Sequence, residues 1–174
     1  MPFRLDGLKA VVTGGARGIG EATCRALGEA GAVVTIVDVD RDRASEVAQT
    51  LPGASVCQLD ITDEASVNAA MAALPGVDVL VNNAGIGLVG TLEETAVEDF
   101  RRLYAVNVEG VYLVTKACLP ALLESQGTIV NVASVAGLVG IKRRFAYCAT
   151  KGAIIAMTKQ LAIDYAGRIR VNCV

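Results

Sequence analysis

Short apolar runs alternate along the chain with longer stretches in which apolar residues recur every three or four positions. The runs predict six strands, at 8–12, 32–37, 54–59, 77–81, 127–134 and 169–174. The intervening spacing predicts helices at 21–30, 41–51, 64–73, 98–125 and 145–165. Strands that are apolar on both faces are typical of a parallel sheet covered by helices. We therefore predict an α/β fold, a Rossmann-type doubly wound parallel sheet with three αβα layers, in one domain over residues 1–174.

The first strand runs into a glycine-rich turn, TGGARGIG at 13–20, before the first helix. Gly14, Gly18 and Gly20 allow close backbone approach, and the first N–H groups of the helix are unpaired there, which suits a phosphate. The spacing differs from the GxGxxG dinucleotide fingerprint, so a plain tight turn is the alternative.

The second strand ends at Asp38, 18 residues beyond the last of these glycines. A carboxylate at about that distance can accept the adenosine-ribose hydroxyls. Asp38 would repel the 2′-phosphate of NADP, and Val39 follows it instead of an arginine, so NAD is the predicted cofactor. Arg17 could reach such a phosphate without removing the clash. As an alternative, Asp38 caps the next helix, which Asp40 or Asp42 could also do.

Composition excludes several classes of function. The net charge is −2 without a basic tail, so we expect no nucleic-acid partner. No uninterrupted apolar stretch approaches a membrane span, and residues 1–6 are not a signal peptide, so we expect a cytoplasmic protein with no membrane partner. The absence of histidine rules out a Ser-His-Asp triad and His-bearing metal sites. Five scattered cysteines predict reduced thiols, with no metal site.

Polar residues follow the ends of the predicted strands. Asp60 could reach an adenine amino group or serve as a capping acid, and the sequence leaves both open. Asn83 follows the fourth strand and Ser134 closes the fifth. Since ligands bind beyond the carboxyl ends of such strands, we expect Gly14, Asp38, Asp60, Asn83 and Ser134 to face one crevice. Thr62 or Asp63 is the predicted cap of the third helix.

The chain resembles the dehydrogenase branch of the short-chain dehydrogenase/reductase family over about residues 5–174. The resemblance rests on TGxxxGxG at 13–20, Asn82-Asn83-Ala84-Gly85, Asn107, Ser134 and Tyr147-x-x-x-Lys151, in this order. It implies an NAD-dependent oxidoreductase that transfers a hydride between a nicotinamide cofactor and a secondary alcohol or ketone. It implies a catalytic tetrad of Asn107, Ser134, Tyr147 and Lys151. It implies cofactor contacts from Gly14, Arg17, Gly18, Ile19, Gly20, Asp38, Asp60, Ile61, Asn83, Ala84, Gly85, Tyr147 and Lys151.

The tetrad makes chemical sense by itself. Tyr147 and Lys151 are four residues apart on a helix, hence on one face. A free phenol is too weak an acid to serve as a base at neutral pH, but a lysine ammonium and an oxidised nicotinamide favour the phenolate. Tyr147 can then exchange a proton with the substrate oxygen while Ser134 hydrogen-bonds that oxygen. The family implies that Lys151 also holds the nicotinamide ribose and that Asn107 positions a proton-relaying water. Asn107 also interrupts a long helix, where a kink, a water or a ligand is expected.

Three further expectations remain open. In the family the sixth strand continues into a Pro-Gly turn, a substrate lid, a helix and a strand, so we expect the C-terminal part of the usual domain to be absent after Val174. A non-catalytic NAD-binding or scaffolding fragment is therefore the alternative function. Surplus apolar positions on 98–125 and 145–165, together with the family's habit, predict a homodimer or homotetramer of the complete protein. The basic cluster, 142–144, is either a binding element for an acidic substrate or a solvated loop or subunit rim.

Overall fold

A six-stranded parallel sheet forms the centre of the computed structural model, which describes residues 4–174. Residues 1–3, part of the segment considered as a signal peptide, lie outside the described residues. The strand order is β3-β2-β1-β4-β5-β6, which is the order of two linked mononucleotide-binding halves. The strands are β1 (Lys9–Thr13), β2 (Val33–Asp38), β3 (Ser55–Gln58), β4 (Val79–Asn82), β5 (Thr128–Asn131) and β6 (Arg170–Cys173). The predicted fold class is confirmed, while the domain bounds 1–174 stay a prediction.

Helices connect the strands in the predicted order. They are α1 (Gly18–Glu29), α2 (Arg41–Ala48), α3 (Glu64–Ala72), α4 (Val97–Tyr104), α5 (Gly110–Ser125) and α6 (Phe145–Asp164). A π-helical turn, Ala105–Glu109, joins α4 to α5. α2 ends at Ala48, earlier than predicted, because Thr50 and Leu51 donate to the carbonyls three residues back instead of four, at 3.1 and 3.0 Å.

Successive residues of the central strands face opposite sides of the sheet and fill two separate cores. Val11 packs with residues of α3 and α5, such as Val67 and Val114. Val12 packs on the other face, with Cys24 of α1 and Val47 of α2. This alternation builds the three layers.

Buried amides tie the carboxyl ends of β4 and β5 to the helices. Asn82 Nδ2 donates to Asn131 Oδ1 and to Thr115 Oγ1 of α5, each at 2.9 Å. Asn131 Nδ2 in turn donates to Thr158 Oγ1 of α6 at 2.9 Å. These bonds fix the strand ends from which the loops of the candidate site begin.

One helix in the described chain, Val97–Ser125, is long and apolar enough to cross a membrane by length and composition alone. Of its most apolar window, 44% is buried, and the core helix of a soluble protein passes the same test. Leu103, Val114 and Leu122 of this helix are fully buried. Charged residues such as Arg101, Glu109 and Lys116 interrupt this helix, so it is not the uninterrupted apolar stretch that the sequence was expected to lack.

Candidate active site

The turn between β1 and α1 forms an open backbone cradle. Gly14 has a φ of +64°, and an added Cβ there would lie 2.8 Å from the Cα of Ala84. Gly18 has a φ of +57° with no atom within 4 Å of an added Cβ. Arg17 provides no side-chain cap, and the N–H groups of Gly18, Ile19 and Gly20 find no acceptor among residues 4–174. Unpaired N–H groups beside open space favour a phosphate-binding turn over the alternative of a plain tight turn.

Asn83 locks this turn to the loop after β4. Its Nδ2 donates to the carbonyls of Thr13 and Gly14, at 3.0 and 2.9 Å. Thr13 Oγ1 accepts from the N–H groups of Asn83 and Ala84, each at 3.1 Å. The Asn83 side chain thus fixes the conformation of the cradle. The Thr13 hydroxyl contributes to the same link, although Thr13 was not among the predicted site residues.

Asp38 is half-buried at the end of β2, beside the cradle. One carboxylate oxygen accepts from the Ala16 N–H and the other from the Asp40 N–H, each at 3.0 Å. Each oxygen keeps a further lone pair for a ribose hydroxyl. The capping alternative belongs to Asp40, whose Oδ1 accepts from the Arg43 N–H at the start of α2.

The Arg17 side chain forms an ion pair with Asp40. Its guanidinium lies 2.6 Å from Asp40 Oδ2, with the Arg17 side chain 66% exposed. From the sequence, Asp40 was expected only as a cap, and its contact with Arg17 was not predicted. The sequence feature that points to the contact between Arg17 and Asp40 is the acidic residue two positions beyond Asp38.

Asp60 serves the local turn beyond β3. Its Oδ1 accepts from the N–H and Oγ1 of Thr62, at 2.9 and 2.8 Å, while Asp63 caps α3. Asp60 therefore does not cap α3, and its contact with an adenine amino group stays a prediction. Ile61 is buried with its side chain against Gly110, and its predicted contact with the cofactor stays a prediction.

Tyr147 and Lys151 meet on one face of α6. Lys151 Nζ lies 5.8 Å from the centroid of the Tyr147 ring and donates to the carbonyl of Val132 at 2.7 Å. Lys151 is only 6% exposed, and this burial lowers the pKa of its ammonium. The Lys151 amino group is thus held in a fixed position beside the Tyr147 ring.

Ser134 begins a 3₁₀ turn, Val135–Gly137, because its Oγ accepts from the Ala136 N–H at 3.1 Å. β5 ends at Asn131, before the predicted 134, although the Val132 and Ala133 N–H groups still donate to the carbonyls of Asn82 and Val174. The turn lies directly on α6: an added Cβ at Gly137 would lie 2.7 Å from the carbonyl oxygen of Lys151. This close approach brings Ser134 to the Tyr147 helix, although Gly137 was not among the predicted site residues.

Asn107 lies in the π-helical turn and is 1% exposed. Its Oδ1 accepts from the Ile86 N–H at 2.8 Å, and its Nδ2 donates to the Ile86 carbonyl at 2.9 Å and to Thr150 Oγ1 at 3.1 Å. The predicted interruption is confirmed, and its cause is a clamp between the loop after β4 and α6. An added Cβ at Gly85, in the same loop, would lie 3.7 Å from Lys151 Nζ.

The basic cluster is partly used to join two loops. The Arg143 guanidinium pairs with Glu94 at 3.1 Å, and its carbonyl accepts from the Gly90 N–H at 2.8 Å. Arg144 Nη1 donates to the Leu88 carbonyl at 3.2 Å. These contacts favour the loop alternative over a free anion site.

Within residues 4–174, no three His, Cys, Asp or Glu side chains are placed to hold a metal.

Comparisons with known proteins cover nearly all of the chain. A sequence profile described as short chain dehydrogenase matches residues 9–174. Meso-2,3-butanediol dehydrogenase of Serratia marcescens is 38% identical, across 99% of this chain and 71% of the relative. 2-(S)-hydroxypropyl-CoM dehydrogenase 3 of Xanthobacter autotrophicus is 42% identical, across 100% of this chain and 72% of the relative. The crystal structure of gox2181 superposes with a TM-score of 0.93 at 31% identity, across 98% of this chain and 71% of that one.

Proposed function

This chain belongs to the short-chain dehydrogenase family, and on that premise we propose that it is an NAD-dependent dehydrogenase of a secondary alcohol, or a reductase of the matching ketone, with Tyr147 as general acid and base. Membership makes it an oxidoreductase acting on CH–OH groups with a nicotinamide cofactor. The observation that carries the proposal is the buried ammonium of Lys151 against the Tyr147 ring.

Tyr147 exchanges the proton. When bound, the nicotinamide supplies the hydride acceptor or donor for the substrate carbon. The Tyr147 hydroxyl takes a proton from the alcohol oxygen, or returns one to the ketone oxygen. The adjacent Lys151 ammonium places positive charge beside the group that becomes negative in this transfer. Because only one of its three N–H bonds is used by Val132, Lys151 keeps donors for ribose hydroxyls.

Ser134 is suited to hold the substrate oxygen. Its Oγ already accepts from the Ala136 N–H, so its own O–H proton is free to donate to a carbonyl or alkoxide oxygen. Asn107 contributes by positioning, since its amide joins Ile86 to Thr150 on α6. A water relay at Asn107 stays a prediction. The non-catalytic NAD-binding or scaffolding fragment stays the alternative, and turnover of a secondary alcohol or ketone by the chain would distinguish the two.

Asp38 supports NAD as the preferred cofactor. Two backbone N–H groups fix its carboxylate at the edge of the cradle, and a fixed negative charge there repels a 2′-phosphate. Fluorescence titration should show NADH binding well ahead of NADPH, and Asp38→Ala should narrow the gap. Asp42→Ala, which removes an exposed acid of α2, is the matched control and should leave the gap as it is. Equal affinities in the unmodified protein would contradict the assignment.

A further inference from the structure

We infer that Asp40 is a second determinant of cofactor choice, which acts by neutralising the Arg17 guanidinium in an ion pair, so that this cation is not available to a 2′-phosphate. The inference rests on the proposed nicotinamide cofactor and concerns how the chain discriminates between dinucleotides with and without that phosphate. Arg17 is the cation of the cradle turn, directly before α1.

The contacts form a chain from the ribose edge to the cation. Asp38 Oδ1 accepts from the Asp40 N–H at 3.0 Å, Asp40 Oδ1 accepts from the Arg43 N–H at 3.1 Å, and Asp40 Oδ2 lies 2.6 Å from Arg17 Nη2. The Asp40 side chain is therefore fixed at both oxygens. It keeps the Arg17 guanidinium near Asp38 and neutralises the positive charge of that guanidinium.

Charge at this edge explains why one acid is not enough. Asp38 and Asp40 together outweigh Arg17 and leave one net negative charge. Removing Asp38 alone leaves Arg17 neutralised by Asp40, so repulsion is lost without any attraction being gained. Removing the Asp40 charge as well frees a guanidinium, which binds phosphate through two parallel N–H bonds.

Asp40→Asn isolates this effect, because asparagine caps a helix about as well as aspartate. The Arg17–Asp40 pair is solvent-exposed, and exposed pairs contribute little to stability. We therefore expect the cofactor-free melting temperature of Asp40→Asn to stay within about 3 °C of the unmodified protein. Asp40→Ser, another neutral cap, serves as a second variant if Asp40→Asn melts earlier.

The test is a fluorescence titration with NADH and NADPH in the Asp38→Ala background. Adding Asp40→Asn should tighten NADPH binding by about 5–10-fold and change NADH binding by less than about twofold. Asp42→Asn makes the same charge change two residues further along and should shift NADPH binding by less than about twofold. Arg17→Ala, added to the Asp38→Ala/Asp40→Asn protein, should cancel the gain.

The outcomes separate this inference from the proposed function. A gain of equal size from Asp42→Asn, or a gain that survives Arg17→Ala, would overturn the inference, since net charge alone would then explain it. No gain from Asp40→Asn or Asp40→Ser, with NADH still preferred by the unmodified protein, would overturn it and leave the proposed function standing. Failure of the unmodified protein to prefer NADH would instead count against the proposed function.

Discussion

At the scale of single residues, Lys151 shows what the sequence could and could not predict. The spacing from Tyr147 predicts that both side chains share a helix face, and they do. Its burial at 6% exposure and its bond to the Val132 carbonyl depend on where β5 meets α6, which no local pattern contains. The same holds for Arg17, whose partner Asp40 lies 23 residues away.

Tyr147→Phe removes the hydroxyl that exchanges the proton and keeps the ring. We expect kcat to fall by about 10²–10⁴-fold, as is typical for a general acid–base group, with NADH affinity nearly unchanged. Steady-state kinetics with secondary alcohols and ketones, together with a binding titration, measure both. Tyr165→Phe, at the other end of α6, is the matched control. Full activity in Tyr147→Phe would show the mechanism to be wrong.

Two buried cysteines should make stability depend on alkaline pH. Burial raises the pKa of Cys24 and of Cys118 to about 12 each. The folded state holds these protons more tightly than the unfolded state, so their stabilisation is complete below the ordinary thiol pKa of about 8.5 and falls as pH rises towards 12. The free energy of unfolding should drop by about 1.4 kcal/mol per pH unit for each thiol between roughly pH 9 and 11.

Urea unfolding of Cys118→Ala checks this slope. The variant should lose stability at pH 8, because it leaves a cavity, but should decline less steeply above pH 9 than the unmodified protein. Leu122→Ala creates a cavity in the same core without removing a thiol and should keep the original slope. Identical slopes in all three proteins would contradict the prediction.

At the scale of elements, the sequence predicted the presence and the order of the helices and strands well, but it predicted their ends less well. The apolar runs are sufficient to predict all six strands, because a strand that is buried on both faces of the sheet needs a continuous run of apolar residues. The predicted end of β5 at 134 was wrong: the Val132 and Ala133 N–H groups still donate to the carbonyls of Asn82 and Val174, but the regular strand ends at Asn131 and the chain enters the 3₁₀ turn after Ser134. The break at Asn107 was predicted, whereas its π-helical form depends on Ile86 in a distant loop.

Gly137→Ala tests the contact between the 3₁₀ turn and α6. The added methyl would lie 2.7 Å from the Lys151 carbonyl oxygen and 2.7 Å from Ile155 Cδ1, so the turn must move and carry Ser134 with it. We expect a loss of about 1–3 kcal/mol in stability and a fall in kcat of about tenfold. Gly140→Ala, where an added Cβ meets nothing within 4 Å, is the control and should change neither the stability nor kcat. Unchanged kcat in Gly137→Ala would mean that this contact does not position Ser134.

At the scale of the whole molecule, large apolar side chains remain exposed on the outer helices. Val97 of α4, Tyr112 of α5, and Phe145 and Ile163 of α6 are all exposed. Burying such side chains between copies would remove apolar area from water. Assembly therefore stays a proposal that these helices support.

We expect the complete protein to be a dimer or tetramer at micromolar concentration by light scattering. Tyr112→Glu should shift it towards monomer, because a charge placed in an apolar interface must be desolvated. Val39→Glu places the same charge on an exposed apolar residue in the loop after β2 and should leave the assembly intact. A monomer in the unmodified protein would count against the proposal.

The link made by Asn83 has a consequence for how such a protein changes over generations. The residues proposed to select the coenzyme, Asp38, Asp40 and Arg17, lie in the β1–α2 half, while the proposed catalytic tetrad lies in the half from α4 to α6. Asn83 and Thr13 join the halves through hydrogen bonds that involve backbone groups of Thr13, Gly14 and Ala84. Those bonds are indifferent to what the neighbouring side chains recognise. Mutation or recombination in the first half can therefore exchange one coenzyme for another, while the second half inherits its chemistry unaltered.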